Sequence, residues 1–243
     1  MIKVFLKDKL KPHSEDPPFI ELNIFYIIDV SQSMGGSKIA AVNDVMPRVL
    51  SMLDEIDNKD NAVIKTNVLV FNDNANWIFP LPIYAREMQH NWPVLTASGG
   101  TSYGEMCIAL ESALHRNAKK YIGAQMDISK SHRAPIIILM SDGAPLDTII
   151  WETKLEILNS NGWFQEASKI AVAIGNKCDR GVLQRFVGND GFIVTVHNID
   201  DLKSTIKIVS SVTSIIGTEG RKTTKEQLKK HIIQDPDGID IFD

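Results

Sequence analysis

Two short runs of this chain are near-continuously apolar, and each ends in an aspartate. The first is Leu22-Asn23-Ile24-Phe25-Tyr26-Ile27-Ile28-Asp29, and the second is Pro135-Ile136-Ile137-Ile138-Leu139-Met140-Ser141-Asp142. A run of this length, rich in β-branched and aromatic residues, reads as a strand buried on both faces, the situation of a parallel sheet covered by helices. Between and after them the pattern alternates. Residues 38–57 read as helix, because Ile39, Val42, Met46, Val49, Leu50, Leu53 and Ile56 keep three- and four-residue spacing. Pro47 lies inside that pattern and predicts either a kink or a break. Residues 63–71 read as strand, Asp73-Asn74 as a turn, and 77–81 as the hairpin partner, closed by Pro80 and Pro82. Then come a helix over 103–120, a polar loop over 123–133, and, past the second apolar run, helix 153–159, strand 169–174, helix 180–187, strand 192–196 and helix 200–215. The alternation predicts an α/β domain with a mostly parallel central sheet, one antiparallel edge strand and helices on both faces. The predicted division is an N-terminal extension over 1–19, one domain over 20–217, and a charged tail or docking arm over 218–243.

Composition excludes several classes. Of 243 residues, 44% are hydrophobic, enough for a full core and too many for global disorder. Lys and Arg number 26 against 30 Asp and Glu, a formal net charge of -4. That argues against a nucleic-acid partner, because counterion release needs a basic footprint. No window approaches the ~20 apolar residues of a membrane span, and the charged N-terminus lacks a secretory signal's apolar stretch. A cytoplasmic protein is the expectation. Cys107 and Cys178 set no disulfide framework or metal motif. Cys178 sits at a loop-to-helix junction, where a helix N-terminus can activate a thiol. His13, His90, His115, His132, His197 and His231 are scattered, with no zinc spacing and no neighbouring nucleophile signature. Gly99-Gly100-Thr101-Ser102 lacks the lysine of a phosphate-binding loop. The chain is therefore not expected to be an enzyme. The competing enzyme reading is a Mg²⁺-dependent phosphatase, but Asp29-Val30-Ser31 lacks the second aspartate of the phosphoaspartate type.

The two strand-end aspartates carry the chemistry. In open parallel sheets, ligands bind beyond the carboxyl ends of the strands, where the strand order reverses. Asp29, Ser31 and Ser33 alternate, so their oxygens can converge from one loop. Ser98-Gly99-Gly100-Thr101-Ser102 can deliver a further hydroxyl at a helix start, the glycines permitting a backbone path closed to other residues. Oxygen ligands alone suit a hard cation, Mg²⁺ first and Mn²⁺ second. Of the five groups, Ser31, Ser33 and Thr101 are neutral and only Asp29 and Asp142 are anionic. Such a site leaves the metal short of negative charge and favours binding an outside carboxylate over hydrolysing a bond.

Asp29-x-Ser31-x-Ser33, the distant Gly100-Thr101, and Ser141-Asp142-Gly143 together resemble the metal-ion-dependent adhesion site of von Willebrand factor A (vWA) domains. The resemblance covers about residues 22–215. It implies a Rossmann-like fold, with metal ligands Asp29, Ser31, Ser33, Thr101 and Asp142, and a protein partner that supplies a Glu or Asp to the metal. Within the family, Ile28-Asp29-Val30-Ser31-Gln32-Ser33-Met34-Gly35-Gly36, Asn43, and Ser141-Asp142-Gly143-Ala144-Pro145 with Asp147 look similar to a bacterial intracellular branch tied to tellurite resistance and stress response. That branch implies an adaptor working beside a protein kinase and a phosphatase. Other intracellular vWA proteins imply an AAA+ ATPase as partner.

Residues 34–36 and 143–147 would form a mobile rim. Trp92 and Tyr103 bracket the Thr101 loop and read equally as partner contacts or as caps on the sheet end, whereas Trp77 reads as packing. Trp151 follows the Asp142 loop and reads equally as an anchor or a cap on the sheet end. In the tail, Asp235, Asp237, Asp240 and Asp243 alternate with Ile239, Ile241 and Phe242. That pattern reads as a solvated arm, or as one that docks on a partner or on a neighbouring molecule's metal.

Overall fold

The apolar run at 22–28 lies at the middle of the sheet. Leu22 and Ile24 through Ile28 are fully buried. Exposing each would cost about 1.5–3 kcal/mol, which is why this strand takes the central place. The structure is a computed structural model that describes residues 20–57, 62–114, 133–175, 178–218, 224, 226–227 and 240–242. Its strands are β1 (Ile20–Asp29), β2 (Ala62–Phe71), β3 (Ala75–Trp77), β4 (Ile83–Tyr84), β5 (Ile136–Ser141), β6 (Ser168–Ile174), β7 (Phe192–Val196) and β8 (Asp240–Phe242). They join one sheet in the order β3-β2-β1-β5-β6-β7-β8, with β4 also on β2. β2, β1, β5, β6 and β7 run parallel. Antiparallel pairing is confined to the edges, where β3 and β4 run against β2 and β8 runs against β7.

The helices are α1 (Ser37–Asp57), α2 (Ala85–His90), α3 (Tyr103–Leu114), α4 (Thr148–Asn159), α5 (Gly162–Glu166), α6 (Arg180–Val187) and α7 (Ile199–Thr218). Side chains of β1 alternate between two cores. Ile24, Tyr26 and Ile28 pack with α1 and α7, while Phe25 and Ile27 pack with α3, α4 and α6. The α/β class with helices on both faces is thus the one the alternation predicted. α1 runs unbroken through Pro47. The proline withholds one N–H from the Asn43 carbonyl, and the buried stripe of Val42, Met46, Val49, Leu50 and Leu53 holds the helix together around it.

Several elements differ from the expectation. The hairpin partner of β2 is Ala75–Trp77, not 77–81, because Asn72 N–H bonds the Asn74 carbonyl (2.9 Å) and turns the chain early. α4 starts at Thr148, five residues before the predicted start. The Asp147 carbonyl accepts from Ile150 (2.9 Å) and Trp151 (3.0 Å) and draws the β-branched Thr148-Ile149-Ile150 into the first turn. β4, α2 and α5 were not anticipated; they are two, six and five residues long, too short for a periodic signal. α5 is instead nucleated by Asn161, whose side chain accepts from Trp163 (2.9 Å) and Phe164 (3.3 Å). Part of the predicted tail or docking arm adds to the sheet: Asp240, Ile241 and Phe242 pair with Thr195, Val194 and Ile193. The extension predicted over 1–19, the part of the predicted helix over 115–120 and the predicted loop up to residue 132 lie outside the described residues.

Chain order sets the switch point. From β1 the chain crosses to β2 on one side, and β5 comes back to β1 on the other. The crevice therefore opens at the carboxyl ends of β1 and β5. Their register pairs Ile28 with Met140, so Asp29 and Ser141 come next, side by side.

Candidate functional site

Asp29 emerges from β1 fully buried. Each of its oxygens accepts one hydrogen bond: Oδ1 from Ser31 N (2.8 Å) and Oδ2 from Ser141 Oγ (2.6 Å). Burial holds its carboxyl above the usual range, the bonds from Ser141 and Ser31 pull it back, and the neighbouring Asp142 pushes it up again. The loop after it is pinned on both sides. Val30 N bonds the Phe71 carbonyl (2.8 Å), Gln32 N bonds the Gly99 carbonyl (3.0 Å), and Ser98 N bonds the Val30 carbonyl (2.8 Å). Met34, fully buried, anchors the 3-10 turn Gln32–Met34 in the core. Ser31 Oγ and Ser33 Oγ lie 3.1 Å apart, and Ser33 Oγ donates to Asp142 Oδ1 (2.7 Å). The other oxygen of Asp142 is ion-paired with Lys38.

Thr101 arrives from a different segment. Gly99 has φ +76, and a Cβ there would lie 2.3 Å from Asp73 Oδ2; at Gly100 it would lie 2.7 Å from Asp73 Oδ1. Asp73 needs that space because its carboxylate accepts Gly100 N (2.9 Å), so both glycines are required by contact. A methyl placed on Gly143 would lie 3.9 Å from Ser33 Oγ, 3.9 Å from Thr101 Oγ1 and 4.0 Å from Asp29 Oδ2. Three oxygens from two separate segments, the 29–33 loop and the Thr101 loop, thus face one small space at Gly143, and Ser31 and Asp142 adjoin it through Ser33. All five residues singled out in the sequence come together. Their donor set, three hydroxyls and two carboxylates, fits a hard divalent cation. Among the described residues, no group of three or more His, Cys, Asp or Glu could hold a metal, so such an ion would depend on the hydroxyls.

Three further residues support the cluster. Ser141 Oγ donates to Asp29 and accepts from Tyr103 OH (2.9 Å) and Gly143 N (3.2 Å). Asp147 accepts from Ser102 Oγ (2.8 Å), Tyr103 N (3.1 Å) and Gly104 N (2.7 Å), and so caps α3 from another segment. Asn43 clamps Leu95, exchanging N–H and C=O bonds of 2.9 Å with it in both directions. The spacing of Asp29, Ser31 and Ser33 could reveal the loop oxygens, but Ser141 reaches Asp29 and Tyr103, and Asp147 reaches the start of α3, across long stretches of sequence.

The rim and the aromatics correct the sequence reading. Segment 143–147 is tied down through Asp147 and through Leu146 N on the Thr101 carbonyl (2.9 Å). Tyr103 is fully buried, edge-on to Phe71 and to Trp151, so it cannot touch a partner. Trp151 caps the sheet end beneath the Arg185 guanidinium, and Trp92 packs half-buried against the α1-side core. Trp77 packs edge-on against Phe25, as expected. Leu146, Ile149 and Ile150 are the large exposed apolar residues here, at 77%, 83% and 56% exposure. Cys178 is not activated; burial pushes its thiol up to about 12, with Asp142 and Asp29 adding to the shift.

A mostly parallel sheet enclosed by helices, with a hydroxyl- and carboxylate-lined loop cluster at its switch point, defines a Rossmann-like α/β domain. The family model of the von Willebrand factor type A domain matches residues 23–208, and the chain belongs to that family. It is 26% identical over 152 residues to inter alpha-trypsin inhibitor heavy chain 4 of Mus musculus, covering 60% of this chain and 14% of that protein. Among solved structures it is similar to a von Willebrand factor type A protein from Catenulispora acidiphila, with TM-score 0.61, 14% identity, and coverage of 81% of this chain and 43% of that one. It is also similar to proximal thread matrix protein 1 of the mussel byssus with a zinc-occupied MIDAS motif, with TM-score 0.58, 14% identity, and coverage of 81% and 46%. The two structural likenesses are of fold, and the chain spans less than half the length of each of these relatives. Among the described residues, no helix is long and apolar enough to cross a membrane.

Proposed function

We propose that Asp29, Ser31, Ser33, Thr101 and Asp142 hold a divalent cation, and that the chain works by binding a protein whose Asp or Glu completes the metal's shell. The observation that carries this reading is the convergence of Ser33, Thr101 and Asp29 oxygens about Gly143, with Asp142 bonded to Ser33. Oxygen donors of this kind favour Mg²⁺, with Mn²⁺ next. The zinc-occupied motif of the mussel protein brings Zn²⁺ into the comparison. A bound ion would supply a Lewis-acidic point for an incoming carboxylate. Asp29, with both oxygens already accepting hydrogen bonds, is oriented to act through water. Ser31, Ser33 and Thr101 add lone pairs without charge. Leu146, Ile149 and Ile150 give apolar area beside the Thr101 loop for residues flanking the partner's acid.

An adaptor fits the site better than an enzyme. Beside the carboxylates and Lys38, the ionisable groups there include Tyr103, held well above its ordinary range by burial, and Cys178, pushed up to about 12. Neither is poised as a base or nucleophile near neutral pH. In this reading the domain over 20–217 is a cytoplasmic scaffold of the tellurite-resistance and stress-response kind, with a kinase and phosphatase as partners and an AAA+ ATPase as the alternative. Asn43, which clamps Leu95, and Asp147, which caps α3, are two of the residues that carry the branch resemblance. The test is titration calorimetry with Mg²⁺, Mn²⁺ and Zn²⁺, beside capture of partners from lysate with and without chelator. Asp29→Ala should lose metal heat and metal-dependent capture while keeping its circular dichroism spectrum. Partner binding that survives excess chelator unchanged would contradict the reading.

A further inference from the structure

Lys38 was not singled out by the sequence, yet its ammonium lies in the site. It opens the first turn of α1, is ion-paired with Asp142 Oδ2, and donates to the Ser33 carbonyl (3.2 Å). The Asp142 side chain is only 1% exposed, and its other oxygen takes the Ser33 hydroxyl. Lys38 therefore supplies the full positive charge facing a carboxylate that, together with buried Asp29, would otherwise set two anions side by side. The ammonium can also leave. The Lys38 side chain is 32% exposed, and its four-carbon stem is flexible and ends in a strongly hydrated charge. The backbone beneath it is fixed, with Ala40 N on the Gly36 carbonyl (3.2 Å).

We propose that Lys38 is a tethered cation that competes with the divalent ion for Asp142. The inference rests on the metal reading above and adds to it a built-in competitor. Loading the site requires the Lys38–Asp142 pair to open, so Lys38 weakens metal binding. Once displaced, the ammonium remains on the rim as a second positive group for a partner carboxylate.

The experiment measures Mg²⁺ and Mn²⁺ affinity by calorimetry for the wild type, Lys38→Met, Lys38→Gln and Lys38→Arg. Lys38→Gln keeps a donor for the Ser33 carbonyl and serves if Lys38→Met does not fold. The neutral variants should bind metal about tenfold more tightly, the size of a lost charge pair near the surface. Lys38→Arg should stay near wild type, and the gap should narrow in high salt. In chelator the neutral variants should melt at lower temperature than the wild type, and metal should raise their melting temperature by more. Equal metal affinity in all four proteins would overturn the role of Lys38 and leave the metal reading standing. Tightening in Lys38→Arg equal to that in Lys38→Met would also overturn it, because charge would then not be the cause. No metal heat in any of the four proteins would overturn both.

Discussion

Replacing Ser141 by alanine removes one oxygen and strands three groups. Its hydroxyl donates to Asp29 Oδ2 at 2.6 Å and accepts from Tyr103 OH at 2.9 Å and Gly143 N at 3.2 Å. A hydrogen bond to a charged acceptor contributes about 1.5–3 kcal/mol, and an orphaned buried hydroxyl costs about 1–3 kcal/mol. Tyr103 OH has a fallback, a long 3.5 Å bond to the Gly143 carbonyl, so its cost falls at the low end. Ser141→Ala should then destabilise the metal-free protein by about 2–4 kcal/mol, read from urea unfolding in chelator. Tyr103→Phe alone should cost about 1 kcal/mol, and the double variant should cost about 1 kcal/mol less than the sum, because the stranded phenol is gone. The loss should also depend on pH. A carboxyl held above its ordinary 3.8 binds its proton more tightly in the folded state, so its ionisation costs stability as pH rises through the folded value. Removing the Ser141 bond raises Asp29 further, so the penalty of Ser141→Ala should be largest at neutral pH and shrink as pH falls toward 3.8. A cost below about 0.5 kcal/mol, strict additivity with Tyr103→Phe, or a penalty that grows on acidification would refute the reasoning.

Other perturbations separate the site's framework from its binding face. Leu146→Asp and Ile149→Asp should change stability by no more than about 0.5 kcal/mol, being exposed, yet weaken partner capture; unchanged capture would remove these residues from the interface. Gly104→Ala puts a Cβ 2.6 Å from Asp147 Oδ2 and should destabilise by about 1–3 kcal/mol, with Thr101 displaced and metal affinity reduced; a melting curve superimposable on wild type would argue that Asp147 does not cap α3. Cys178, raised to about 12 by burial and by the two site carboxylates, should react with iodoacetamide at pH 8 about a thousandfold more slowly than an unfolded thiol; rapid labelling of native protein would contradict the burial.

The legible parts of this chain are those written in local pattern. β1 and β5 were visible because burial on both faces selects near-continuous apolar runs, and the loop ligands because alternation in Asp29-Val30-Ser31-Gln32-Ser33 aims three oxygens from one backbone. Thr101 was found through its glycines, whose need arises from Asp73, 27 residues away. What escaped has no local signature. The Ser141 hydroxyl matters only because β1 and β5 are neighbours in register. The sequence places Asp147 in the rim, yet its carboxylate caps α3 from another segment, and at the start of α4 it makes no side-chain cap bond. The aromatics misled because closeness in sequence to a binding loop says nothing of direction: Tyr103 turns inward to reach Ser141, and Leu146 with Ile149 and Ile150 of α4 take the exposed places.

Charge matching explains why metal and acidic partner should be coupled here. Without metal, Lys38 balances one of the two carboxylates, and burial makes the charge of Asp29 costly to hold. A divalent ion would balance both carboxylates and leave the Lys38 charge unmatched at the rim. Hydroxyl ligands cannot absorb that surplus, since Ser31, Ser33 and Thr101 stay neutral. One carboxylate from outside removes it, and in a water-poor site that interaction is stronger than the same pair in bulk solvent. A third acidic ligand from the chain itself would satisfy the ion internally and weaken its pull on a partner. Thr101→Asp tests this: it should hold metal at least as tightly as the wild type while capturing partner less well. If both affinities rose together, the shortage of negative charge would not be what recruits the partner.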